Sequence, residues 1–85
     1  MAKAYSIKET ESLNNILGYD ELSPKEFIEL IIKTYDIRIE KGIDKGAELL
    51  GIARKTVDNW YRGYRKPPDY IYYWCAEVAK KQNLN

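Results

Sequence analysis

The stretch whose reading decides the fold is GIARKTVDNWYRG, residues 51 to 63. On a helix of 3.6 residues per turn, Val57, Trp60, Tyr61 and Tyr64 fall on one stripe, and Arg54, Lys55, Asp58, Asn59 and Arg62 fall on the other. The spacing predicts a helix from about Arg54 to Arg62, stopped by Gly63, with an apolar and aromatic inside and a hydrogen-bonding outside. An ordinary surface helix favours Glu and Lys; this one offers Arg and Asn, whose planar groups fit base edges. Upstream, Ala47 and Gly51 are four apart, Val57 follows after six and Trp60 after three more. A small residue at 47 lets two helices cross closely, glycine at 51 makes a tight turn, and Val57 with Trp60 fills the angle between them.

Working outward, Ser23-Pro24-Lys25-Glu26 predicts the start of the longest helix, with a serine acceptor, a proline suited to the first turn and a glutamate closing a capping box. Phe27, Leu30, Ile31 and Thr34, flanked by Ile28, Ile32 and Tyr35, give it a broad apolar face that is expected to persist to about Ile39 before Gly42 ends it. Asp44 or a near neighbour then opens a short helix carrying Ala47, Leu49 and Leu50. Pro67 and Pro68 lead into a last helix from about Asp69, with Ile71, Trp74, Cys75 and Val78 expected inward. A short first helix is expected over residues 8 to 17, stopped by Gly18. The expectation is therefore an all-α, five-helix domain spanning 1–85, made of an N-terminal extension over 1–22 and a helical core over 23–82.

Composition narrows the function. With 85 residues and 45% hydrophobic content the chain suffices for one core and not for two. A single cysteine, Cys75, makes no internal bridge, so a reducing, cytoplasmic setting is expected, with no membrane span and no export signal. There is no histidine, no glycine-rich phosphate cradle and no nucleophile beside a base, so neither an enzyme nor a metal or other cofactor is expected. The net charge of +1 is uninformative, but its distribution is not. Residues 1 to 30 hold three lysines against six acids, whereas residues 52 to 66 hold Arg54, Lys55, Arg62, Arg65 and Lys66 against Asp58 alone. That local patch is what binding to a polyanion requires, although a solvated helix face also carries such runs.

AELLGIARKTVDNWYRG resembles the helix-turn-helix of the Cro and phage-repressor-like (XRE-type) regulators, and NWYRGYRKP is similar to that family's tryptophan, glycine and proline segment. With the flanking helices counted, the resemblance covers residues 24 to 78. It departs from the family at Ala53, where a hydroxyl cap is common, and at Gly42 and Ile43, where Thr and Gln commonly supply a phosphate contact that Lys45 would have to replace.

The resemblance implies a lambda-repressor-like fold and a sequence-specific regulator of double-stranded DNA, acting as a repressor and as a homodimer of the phage or prokaryotic type. It places Arg54, Lys55, Asp58 and Asn59 towards the bases, with Arg54 suited to guanine and Asn59 to adenine. Asp58 lies four residues from both Arg54 and Arg62, so an ion pair is its expected role. Arg62, Arg65 and Lys66 are expected on the sugar-phosphate backbone, and Thr56 at a phosphate or in support of the first turn. Tyr70, Tyr72 and Tyr73 exceed what the last helix needs inside and point to core or subunit interface, with Trp74 and Cys75 in the core. The alternative is a protein-binding module of the same fold, a phage-encoded inhibitor or antitoxin-like adaptor, presenting the same basic face to a protein partner.

Overall fold

A computed structural model describes residues 20–84. Four helices and no strand occur among them: α1 (Pro24–Tyr35), α2 (Ile39–Leu50), α3 (Arg54–Arg62) and α4 (Asp69–Lys81). The helix expected over residues 8 to 17 lies outside the described residues. α1 and α2 each pack on the other three helices, whereas α3 and α4 do not approach one another. Their shared core is built from Phe27, Ile28 and Ile31 of α1, Ile43, Ala47 and Leu50 of α2, Val57 of α3, and Ile71, Cys75, Ala76, Val78 and Ala79 of α4, joined by Leu22 just before α1 and Leu84 just after α4. Burial without a charged neighbour pushes the Cys75 thiol up to about 12, so it sits there as a neutral apolar group.

The start of α1 follows its sequence. The Ser23 hydroxyl accepts from the Glu26 amide at 3.1 Å while the Glu26 carboxylate accepts from the Ser23 amide at 3.1 Å, so two orphan donors are satisfied by one short motif. Its end does not follow. α1 stops at Tyr35 because Asp36 takes a left-handed conformation, φ 55°, and its amide closes the helix on the Ile32 carbonyl. Aspartate tolerates that region better than most residues. Thr34 and Tyr35, expected on the apolar face, are exposed. The expected terminator Gly42 lies instead in the second turn of α2, which begins five residues earlier than Asp44.

Two glycines then carry the geometry. Gly46 is buried where α2 crosses α1, and a Cβ there would collide with the Ile28 Cδ1 atom, itself fully buried. Gly46 thus lets α2 lie close against Phe27, Ile28 and Ile31 of α1. Gly51 ends α2 at φ 73°, with Gly51 and Ile52 amides both donating to the Ala47 carbonyl at 2.9 and 3.1 Å. Three residues, 51 to 53, separate α2 from α3. No described helix is long and apolar enough to cross a membrane.

Candidate nucleic-acid interface

α3 is held by one fully buried side chain, Val57, with Trp60 and Tyr61 half-buried against the core. No side chain caps its start, since Ala53 stands at the N-cap position. At its end Gly63, φ 83°, turns the chain out, and the Asn59 carbonyl accepts from the Tyr64 and Arg65 amides at 2.9 and 3.4 Å. Tyr64 therefore leaves the inner stripe on which helical spacing placed it and is 71% exposed.

The outward side chains of α3 divide into two flanks. On the side facing α2, Arg54 donates to Glu40 at 2.8 Å and to Asp44, and Arg62 donates to Glu40 at 3.2 Å and to Asp58 at 2.7 Å. One carboxylate, Glu40, thus spans both guanidinium groups. Both arginines are held further in their charged form, Arg54 chiefly by its bond to Asp44 and Arg62 chiefly by its bond to Asp58. The cluster sets two guanidinium groups against three carboxylates, a net charge of −1. The expected role of Asp58 as an ion-pair partner is found, with Arg62 rather than Arg54.

On the other flank, Thr56, Asn59 and Trp60 of α3 meet Arg65 and Lys66 of the following loop around an open notch of about 350 Å³. Thr56 and Asn59 are half-buried, while Lys55, Arg65 and Lys66 are exposed and make no ion pair with any described residue. A planar amide, a hydroxyl and two cations there can hold an anion and hydrogen-bond a neighbouring group. All eight residues singled out from the sequence therefore lie on α3 or just beyond it, but in two sets of different electrostatic character.

Glu40 and Asp44 were missed by the sequence reading. Their signal is the i, i+4 spacing that puts both on one face of a helix, and it is invisible if Gly42 is taken as a break. Lys45, the candidate to replace a phosphate contact near the start of α2, lies 4.9 Å over the Tyr35 ring. Trp74, expected in the core, is 38% exposed. Its indole donates to the Leu50 carbonyl at 3.0 Å, satisfying an acceptor at the α2 C-terminus that a fully inward ring would not reach. Tyr70 and Tyr73 are 67% and 56% exposed, which removes them from the core. No three His, Cys, Asp or Glu side chains group to hold a metal among the described residues. Comparison with protein-family models, with curated proteins and with solved structures finds no match to this chain.

Proposed function

We propose that the chain is a sequence-specific, double-stranded DNA-binding regulator in which α2, the 51–53 turn and α3 form a helix-turn-helix and α3 enters the major groove. The observation that carries this reading is the notch at the end of α3, where Arg65 and Lys66 stand beside the amide of Asn59 and, like Lys55 in the first turn of α3, make no ion pair with a described residue. Lys55 and Asn59 face base edges in this arrangement, and Arg65 and Lys66 face the phosphates. Thr56 joins the phosphate set. No cofactor takes part, and operator occupancy acts as repression.

One α3 covers only a few base pairs, so useful discrimination calls for two copies on half-sites about 34 Å apart or a multiple of that. The exposed Tyr70, Tyr73 and Trp74 of α4, on a helix that does not touch α3, suit the contact between the copies.

Selection of bound sequences from a random duplex pool tests the reading. The expected result is an enriched motif with two-fold symmetry; a pool that stays random contradicts it. A second reading, a protein-binding module, is favoured by one observation, the ion-paired and net acidic flank of α3. It predicts sequence-blind, salt-sensitive duplex retention together with a tight protein partner.

A further inference from the structure

We propose that Glu40, with Asp44 beside it, is a selectivity-determining residue: it ties Arg54 and Arg62 to the protein's own carboxylates and so suppresses sequence-blind binding of polyanions by α3. The proposal rests on the DNA reading for its biological purpose but not for its physics.

A guanidinium presents a fixed fork of five donors and keeps its charge at any ordinary pH. Each of the two arginines spends two of those donors on carboxylates, one through Nε and one through a terminal nitrogen. One bond of each pair ends on the carboxylate of Glu40, which α2 holds opposite α3, while the Nε bonds go to Asp44 and Asp58. An acceptor pair in the right place, such as the O6 and N7 edge of guanine, replaces them two for two. A phosphate can also take the fork two for two, but it brings its own negative charge against three fixed carboxylates, which an uncharged base edge does not. The ties are exposed, with the Glu40 side chain 65% accessible, so opening them disturbs little of the fold.

The ties also change the counterion account. A cation already neutralised by a neighbouring carboxylate contributes little to salt-dependent binding, so sequence-blind affinity falls to Lys55, Arg65 and Lys66. Removing the Glu40 charge should return Arg54 and Arg62 to that set.

The experiment compares the unaltered chain with Glu40→Gln, Asp44→Asn and Glu29→Gln, each checked for helix content by circular dichroism. Glu29 is exposed on α1 and makes no ion pair with a described residue, so its substitution changes net charge alone. The probes are a heparin column and a duplex of mixed sequence titrated over a range of salt. Glu40→Gln should leave heparin at higher salt than Glu29→Gln, with Asp44→Asn between them. It should also tighten mixed-sequence duplex binding about five- to tenfold and steepen the salt slope by about 1 to 2. Equal elution of Glu40→Gln and Glu29→Gln overturns the proposal, because the effect is then net charge only. An excess heparin shift with no duplex binding by any of the proteins supports the restraint on the arginines and overturns the DNA reading instead.

Discussion

The two flanks of α3 carry similar residues in the sequence and opposite electrostatics in the fold. Arg54 and Arg62 face α2 and pair with Glu40, Asp44 and Asp58, whereas Arg65 and Lys66 follow the turn at Gly63 and make no ion pair with a described carboxylate. A basic run is therefore a poor measure of a basic surface. What decides is which helix the packing brings alongside, and here α2 brings two acids one turn apart to one flank only.

The largest expected effect breaks the exposed flank. Arg65→Ala combined with Lys66→Ala should weaken duplex binding roughly 10- to 100-fold at low salt and lower the salt slope by about 2, on selected and mixed sequences alike. Titration at several salt concentrations reads both quantities. Asn59→Ala sharpens the division of labour within that flank: it should cost about 1–3 kcal/mol of discrimination between the selected duplex and a base-substituted one, with the salt slope unchanged.

Gly46→Ala moves the acidic side of the comparison. The added methyl meets the buried Ile28, so urea unfolding should show a loss of about 1–3 kcal/mol, accompanied by altered Arg54 and Arg62 Nε–H resonances as α2 shifts. Ala53→Ser acts at the common root of both flanks. Its hydroxyl would supply the missing N-cap of α3, and a gain of about 1 kcal/mol in unfolding free energy is expected. The smallest effect is reserved for Arg54→Ala, whose pairs are solvent-exposed, so the urea unfolding midpoint should stay nearly where it is.

The bounds of α3 and the starts of α4 and α1 were legible because each is marked locally, by Gly63, by Pro67 and Pro68, and by the Ser23–Glu26 box. The break between α1 and α2 was not. Ile37, Ile39 and Ile43 continue an apolar run past Tyr35, so periodicity passes straight over the turn, and the residue that makes it is an aspartate in a conformation usually left to glycine. That one misplacement hid Glu40 on the wrong helix and made Gly42 look like a stop, although it faces Ile28 and Ile32 inside the helix pair. That the eight candidate side chains lie on or just beyond one helix was legible, six of them from helical spacing and Arg65 and Lys66 from their place after Gly63. Their division into tied and untied cations was not, since it depends on carboxylates 10 to 22 residues away in sequence. Tyr64 and Trp74 were misplaced for related reasons. Helical spacing says nothing past a helix end, and a stripe position does not reveal where an indole N–H finds its acceptor.

The central claim is that α3 and the loop after it are what duplex DNA touches. Backbone amide shifts recorded while a selected duplex is added test this most directly: the account predicts the largest changes at Arg54, Lys55, Thr56, Asn59, Arg65 and Lys66, and small ones along α1. Changes concentrated on Tyr70, Tyr73 and Trp74 of α4, with α3 unmoved, would contradict it.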